Sequence, residues 1–225
     1  MSARTLVFNG WAAGRETWDL CTFPHDWIFD YVEQLDGLPE RVMSETDAAV
    51  LVGFSMGGTT ALRMALAFPE RVRGLVLVSA TARMMEDPAT NWKGMSLRRR
   101  AALKLGTQWA FQGDPSPMYR EDNMDRGLDY LQNTDLRSDL SNVSNVSNVS
   151  NLLHIPVSIF QSDRDAIVRA HNAAFLKSVF PQAVVTMIPC SEHVLPVTIP
   201  EQIDEAVLSI TKEENQDENQ VVAID

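Results

Sequence analysis

The stretch Leu51-Val52-Gly53-Phe54-Ser55-Met56-Gly57-Gly58 decides the fold, because it carries a Gly-x-Ser-x-Gly pattern between two different kinds of segment. Residues 48–52 are apolar and predict a buried parallel strand, whereas residues 59–68 are rich in Ala, Leu and Met and predict a helix. The serine therefore lies at a strand-to-helix turn that only glycines at its flanking positions allow to be tight. Such a turn holds a hydroxyl out at the carboxyl end of a sheet, so we predict that Ser55 is a nucleophile.

Further apolar segments on both sides of this turn predict the rest of a sheet. Together with 48–52, the predicted strands are 5–8, 27–31, 74–79, 156–161 and 183–188. Helical patterns separate several of them, which implies right-handed crossovers. We therefore expect an α/β protein with a mostly parallel sheet of about six strands.

The strand pattern is interrupted once, and this interruption divides the chain. Residues 1–80 and 152–211 are expected to form the two parts of one core, with a last helix over 201–211. Residues 81–151 are dominated by helix formers and predict a helical cap inserted between two strands, ending in a Ser-Asn-Val repeat over 141–151 that we interpret as a linker. Residues 212–225 are acidic and polar, and predict a disordered tail.

Composition excludes several classes of function. The net charge of −11 argues against a nucleic-acid partner, and no apolar run approaches the roughly 20 residues that cross a bilayer. The two cysteines, Cys21 and Cys190, are too few for a disulfide framework and predict free thiols. We expect a cytoplasmic monomer that does not bind membranes, and no metal-ligand spacing or phosphate loop predicts a cofactor.

A serine nucleophile needs a base, and that base needs an acid to orient it. The chain supplies them in the order serine, acid, histidine, each after a predicted strand: Ser55, Asp165 and His193. Asp163 is the alternative acid, although Asp165 is preferred because its turn leads directly into the next helix. Cys190 is a poor rival nucleophile because it has no comparable turn.

The other three histidines fit the role of the base less well. His154 precedes a predicted strand and so belongs to the wrong edge of the sheet, while His171 lies within a predicted helix. His25 lies in a segment of uncertain structure and remains a remote competitor. His193 alone follows the end of the last predicted strand.

Two backbone amides are candidates for an oxyanion hole. The first predicted strand runs into Asn9-Gly10-Trp11, a glycine turn whose Trp11 amide could donate to a developing oxyanion. The second donor would be the Met56 amide, at the amino end of the helix after Ser55, where amides point outward.

A basic cluster in the cap opposes the sign of the whole chain. Arg98, Arg99, Arg100 and Lys104 lie in a segment without acidic residues, 93–104. Such a cluster is often only a solvated helix face, but it could also orient an acidic partner.

These motifs together resemble the α/β-hydrolase superfamily over nearly the whole chain, and within it the BioH-type pimeloyl-[acyl-carrier protein] methyl ester esterases. The narrower likeness rests on the Gly10-Trp11 turn and on the cap segment from Gly127-Leu128-Asp129-Tyr130-Leu131 to Asp135-Leu136-Arg137. In that family the triad and the two oxyanion amides match the five residues named above. The family's more common His-Gly at the oxyanion turn is Asn9-Gly10 here, and we expect the family's leading strands to be absent from the sheet.

The resemblance implies an α/β-hydrolase fold and a specific reaction. Ser55 would attack the methyl ester of a pimeloyl chain carried by acyl carrier protein, whose acidic surface the cluster Arg98, Arg99, Arg100 and Lys104 would bind, with Arg137 a weaker candidate. The alternatives are a general carboxylesterase, lactonase or carbon–carbon bond hydrolase acting on a free small molecule, and an inactive receptor with a hydrolase fold.

Overall fold

The computed structural model describes residues 3–84, 121–145 and 149–221. Within these ranges the chain forms a single six-stranded sheet in which every neighbouring pair of strands is parallel. The expected mostly parallel α/β sheet is therefore confirmed. Its strands are β1 (Arg4–Phe8), β2 (Trp27–Phe29), β3 (Ala49–Phe54), β4 (Val72–Val78), β5 (Val157–Ser162) and β6 (Val184–Ile188).

Helices connect these strands and flank the sheet. In chain order they are α1 (Tyr31–Leu35), α2 (Leu38–Ser44), α3 (Met56–Ala67), α4 (Glu121–Asn133), α5 (Arg137–Ser141), α6 (His171–Val179), α7 (Leu195–Thr198) and α8 (Pro200–Val221). The break between α1 and α2 falls at Gly37, whose φ of 73° lies in the left-handed region that favours glycine.

The strand order is β2-β1-β3-β4-β5-β6, so the side of β1 on which successive strands are added changes once. After β1 it adds β2 on one side, then returns to place β3 on the other side of β1, with Phe8 opposite Gly53. Ligands of open parallel sheets bind outside the carboxyl ends of the strands at such a switch point. The turns after β1 and β3 therefore meet at the place where a site is expected.

Both faces of the sheet are covered, which explains why the strands are apolar without alternation. Every residue of β3 is buried. Leu51 and Leu75 belong to the core on the face covered by α3, whereas Val50, Val52 and Val76 belong to the core that also includes residues of α8. At about 25 cal/mol per Å² of buried apolar surface, these two layers are the main stabilising contribution.

The last helix differs from the prediction. It was expected to end at residue 211, with a disordered tail over 212–225, but α8 continues to Val221. The expectation of disorder rested on the polar composition, which prevents packing against the core. A helix satisfies its own backbone hydrogen bonds, and Glu and Gln are good helix formers, so a polar segment of this composition can continue a helix.

The described part of the cap is helical, as the sequence predicted. Helix α4 packs beside α1, and its apolar residues Met124, Leu128 and Leu131 are buried in a cluster that also includes Tyr31 and Met56. Residues 85–120 lie outside the described residues.

The Ser-Asn-Val repeat is more than a linker where the structure describes it. Val143 and Val149 are 1% and 7% exposed and belong to the main core. The Asn151 side-chain amide also donates to the carbonyl of Pro69 at 2.6 Å. A short polar repeat can pack in this way because every third residue is an apolar valine, so the interpretation as a linker needs correction for these units.

Candidate active site

Ser55 lies where the chain leaves β3 and enters α3. Its φ of 53° is in the left-handed region, which a non-glycine residue adopts only when the surroundings enforce it. The Ser55 amide donates to the carbonyl of Val78 at 2.9 Å, and the Ser55 carbonyl accepts from the amide of Gly58 at 2.9 Å. The backbone of this turn is therefore held on both sides.

The glycines around Ser55 are required by close backbone contacts. A Cβ on Gly57 would lie 2.0 Å from the carbonyl oxygen of Phe8, and one on Gly53 would lie 2.6 Å from the carbonyl oxygen of Gly57. Real Cβ atoms do not approach so closely, so helix α3 could not begin against the ends of β1 and β3 with larger residues. This is the physical reason for the Gly-x-Ser-x-Gly spacing.

The imidazole of His193 lies beside the Ser55 hydroxyl. His193 belongs to the loop between β6 and α7, and its Nε2 lies 2.9 Å from Ser55 Oγ. The ring also packs against that of Phe54, with 5.1 Å between the centroids. Nε2 is thus within hydrogen-bond distance of the proton that a base would remove.

Asp165 completes the line of side chains. Its Oδ2 lies 2.7 Å from His193 Nδ1, on the side of the ring opposite Ser55. Its other oxygen, Oδ1, accepts from the amides of Ile167 at 2.7 Å and Val168 at 3.0 Å. The carboxylate is therefore fixed in orientation, and it selects the His193 tautomer whose Nδ1 carries the proton and whose Nε2 can accept one.

The rejected candidates have other surroundings. Asp163 is hydrogen-bonded to its neighbour Arg164 at 3.3 Å, and His25 Nδ1 lies 3.3 Å from the carbonyl oxygen of Phe23. His154 precedes β5 at the opposite edge of the sheet, and His171 begins α6. The structure thus brings together Ser55, Asp165 and His193, and none of these alternatives.

The two segments that carry the candidate oxyanion donors lie next to Ser55. Met56 is the first residue of α3, and an amide at this position has no partner within the helix. Gly10, which precedes Trp11, is so near that an added Cβ would lie 3.2 Å from the Ser55 Cβ. The turn after β1 and the start of α3 therefore border the same space beside the hydroxyl.

The sequence did not indicate which hydrogen bonds hold the turn after β1 in place. Asn9 is fully buried, and its Oδ1 accepts from Trp18 Nε1 at 2.6 Å. The Asn9 carbonyl accepts from Gln34 Nε2 at 2.9 Å. Asn9 replaces the histidine expected by resemblance, but its partners come from the 3₁₀ turn Arg15–Trp18 and from α1, which no local pattern indicates.

An apolar cluster also borders the site. It joins Met56 to Met84, Met124, Leu128 and Val168, so it combines the start of α3, the cap and the loop that carries Asp165. Trp11 connects the cap to the turn after β1, since its Nε1 donates to the carbonyl of Met124 at 3.1 Å. Flexible methionine side chains adapt to aliphatic groups of varied shape.

Two carboxyl groups, one on the loop of His193 and one in the cap, have hydrogen-bond partners that lower their pKa values. The Cys190 thiol beside Glu192 lowers the pKa of that exposed carboxyl, since hydrogen bonds favour its charged form. In the cap, hydrogen bonds from Arg137 lower the pKa of Asp135, and Arg137 donates to Asp135 at 2.9 and 2.8 Å. Arg137 therefore pairs within the cap.

The remaining predictions concern residues outside the described ranges, metal ligands, cysteines and membrane-spanning segments. The basic residues Arg98, Arg99, Arg100 and Lys104 lie outside the described residues. Within the described ranges, no cluster of His, Cys, Asp and Glu is arranged to hold a metal ion, and Cys21 and Cys190 are both free thiols. No helix in that part of the chain is long and apolar enough to span a membrane.

Comparison with known proteins agrees with the geometry. The pimeloyl-[acyl-carrier protein] methyl ester esterase of Yersinia enterocolitica is 27% identical over 207 residues, covering 80% of this chain and 76% of its own. The protein of the same name from Nitrosomonas europaea is 27% identical over 203 residues, covering 76% and 75%. The solved enol-lactonase of Burkholderia xenovorans LB400 superposes with a TM-score of 0.67 at 16% identity, covering 94% of this chain and 92% of its own.

A family model described as the alpha/beta hydrolase fold matches residues 10–198, from the turn after β1 to the end of α7. These residues include all three side chains of the Ser55 site. The comparisons support a hydrolase that resembles the BioH-type esterases in sequence. The chain belongs to the alpha/beta hydrolase fold family.

Proposed function

We propose that this protein is a serine esterase that works through an acyl-enzyme. The observation that carries the proposal is the unbroken line of polar atoms from Ser55 Oγ to His193 Nε2 at 2.9 Å and from His193 Nδ1 to Asp165 Oδ2 at 2.7 Å. A nucleophile, a base and an acid in this arrangement have the geometry that hydrolysis of a carboxylic ester requires.

Each residue then has a role in two half-reactions. His193 accepts the Ser55 proton as Oγ attacks the ester carbonyl, and Asp165 stabilises the resulting imidazolium. The amides of Trp11 and Met56 donate to the oxyanion, and losing one such donor typically costs about 10²- to 10³-fold in rate. His193 next protonates the leaving alcohol, and water attacks the acyl-enzyme with His193 again as base.

The favoured substrate is the methyl ester of a pimeloyl chain carried by acyl carrier protein. The names of the Yersinia and Nitrosomonas relatives support this choice, and methanol would be the leaving alcohol. The apolar cluster of Met56, Met84, Met124, Leu128 and Val168 supports an aliphatic acyl group. Arg98, Arg99, Arg100 and Lys104 are the residues that we propose bind the acidic carrier.

Comparing a carrier-bound ester with the free methyl ester tests the substrate. We expect a higher kcat/KM for the carrier-bound ester, and a selective loss of that advantage when Arg98, Arg99 and Arg100 are changed to Glu. Lys212→Glu, a charge reversal on α8, is the control and should change neither rate. Equal rates for both esters, unaffected by the triple reversal, would instead indicate an esterase or lactonase for free small molecules.

A further inference from the structure

The base of the Ser55 site lies on a loop without regular structure. β6 ends at Ile188 and α7 begins at Leu195, and His193 lies between them. Proton transfer needs the imidazole within hydrogen-bond distance of both the nucleophile and the leaving group, and a displacement of about 1 Å can cost about 10²-fold. Something outside the loop must therefore hold it.

Two buried serine hydroxyls contact consecutive carbonyls of this loop. Ser79 Oγ donates to the carbonyl of His193 at 3.0 Å, and Ser162 Oγ donates to the carbonyl of Glu192. Both serines are 0% exposed. Ser162 is the last residue of β5 and Ser79 directly follows β4, so neighbouring strands of the sheet each supply one donor.

Ser79 is also tied to the nucleophile. Its neighbour Val78 accepts the hydrogen bond from the Ser55 amide at 2.9 Å, and the Ser79 amide donates to Phe160 at 2.8 Å. The dipeptide Val78-Ser79 therefore holds the backbone of Ser55 on one side and that of His193 on the other. The φ of Ser79 is 46°, which lies in the left-handed region and is a strained conformation for a non-glycine residue.

We propose that Ser79 and Ser162 are positioning residues that hold His193 in register with Ser55. The inference rests on the proposed serine hydrolase function. Two hydroxyls on adjacent strands fix two successive peptide units, which restrains both the position and the tilt of the loop. The amide of Leu195 also donates to the His193 carbonyl at 3.0 Å, so removal of Ser79 Oγ would leave this carbonyl bonded but less restrained.

Two substitutions at position 79 separate the effect of the hydroxyl on catalysis from its effect on stability. Ser79→Gly and Ser79→Ala both remove the hydroxyl, but glycine relieves the strained φ and alanine does not. With p-nitrophenyl acetate as substrate, we expect both variants to lose about 10- to 100-fold in kcat with KM changed less than about twofold. Their melting temperatures should differ, with Ser79→Gly the more stable.

Ser162→Ala provides a second, independent variant and should lower kcat in the same range. Thr46→Val is the matched control, because Thr46 Oγ1 is also a buried hydroxyl that donates to a carbonyl, that of Val42 at 2.7 Å. Thr46 precedes β3 at the edge of the sheet away from Ser55, so this variant should lose stability but keep kcat.

The outcomes distinguish this inference from the proposed function. If a fluorophosphonate probe fails to label Ser55 in the wild-type protein, the proposed function is wrong and the inference fails with it. If Ser55 is labelled but Ser79→Gly and Ser162→Ala retain the wild-type kcat, only the inference is overturned. A fall in kcat that follows melting temperature across all four variants, Thr46→Val included, would also overturn it.

Discussion

At the residue scale, two aspartates only two positions apart have entirely different surroundings. The Asp165 side chain is 0% exposed and lies 2.7 Å from His193 Nδ1, whereas that of Asp163 is 46% exposed and pairs with Arg164. The sequence favoured Asp165 because its turn leads into a helix. The structure adds the reason that its Oδ1 accepts two backbone amides, which point its Oδ2 at the imidazole.

Substitution of the two aspartates should therefore have unequal effects. Asp165→Asn can no longer select the tautomer of His193 that accepts the Ser55 proton, and it should lower kcat by about 10³- to 10⁴-fold. Asp163→Asn is the matched control and should change kcat by less than about twofold. Steady-state kinetics on any ester that the wild-type protein turns over measures both values. The reverse order of effects would show that Asp163 is the acid.

The thiol of Cys21 should be unreactive near neutral pH. Burial raises its pKa from 9.0 to about 12, and the nearby carboxylates of Asp204 and Glu201 add to the shift. Because the thiolate is the nucleophile, a shift of about three pKa units reduces alkylation about 1,000-fold below pH 9.

Iodoacetamide labelling in a Cys190→Ala background measures this rate. Because the pKa is raised, the labelling rate should still be rising as pH passes 10, where an unperturbed thiol has levelled off. Labelling of Cys21 at the rate of free cysteine at pH 8 would contradict the assigned surroundings.

At the element scale, helix α4 is fastened to the turn that carries Trp11. A Cβ on Gly127 would lie 2.4 Å from Trp11 Cδ1 and 2.7 Å from Nε1, so the helix approaches the indole as closely as a glycine allows. One hydrogen bond, from Trp11 Nε1 to Met124, joins the two elements at the same place. The cap and the proposed oxyanion donor therefore cannot move independently.

Gly127→Ala should weaken both activity and stability. An alanine normally stabilises a helix by about 1 kcal/mol relative to glycine, but here the methyl group must displace the Trp11 indole or the helix. We expect a loss of about 1–3 kcal/mol in the free energy of unfolding and about tenfold in kcat/KM. Urea denaturation and ester kinetics measure these values.

Asp129→Ala, an exposed change on the same helix, is the control for Gly127→Ala and should leave both values nearly unchanged. A Gly127→Ala variant that is as active as, and more stable than, the wild-type protein would show that α4 is free of the turn.

The Ser-Asn-Val repeat contributes to the core through its valines. Val149 is 7% exposed within the main cluster, so Val149→Ala should lower the free energy of unfolding by about 1–3 kcal/mol. Ser144→Ala, at an exposed position of the same repeat, should change it by less than about 0.5 kcal/mol. Equal melting temperatures for the two variants would restore the interpretation as a linker.

At the scale of the whole molecule, local patterns predicted the strands and the three side chains of the site because each depends on short stretches of sequence. The tight turn at Ser55 and the apolar strands are examples. The contacts of Ser79 and Ser162 with the loop of His193, and of Asn9 with Trp18, could not be predicted. They depend on which strands are neighbours and in what register, and residues far apart in sequence determine both.

The sheet order explains why one edge carries the whole site. Because β1 and β3 are neighbouring strands, the Gly10-Trp11 turn that follows β1 meets the Ser55 turn that follows β3. β5 and β6 follow on the other side of β4 and bring Asp165 and His193 to the same carboxyl edge. Side chains from three segments thus meet beside one hydroxyl, although Ser55 and His193 are 138 residues apart in the sequence.

The central claim is that Ser55 is a nucleophile activated by His193, and the rate of covalent labelling by a fluorophosphonate probe tests it most directly. We predict a single adduct, located on Ser55 by mass spectrometry, no adduct in Ser55→Ala, and labelling slowed by about 10³-fold or more in His193→Ala. An adduct on another residue, or equally fast labelling of the wild-type and His193→Ala proteins, would contradict it.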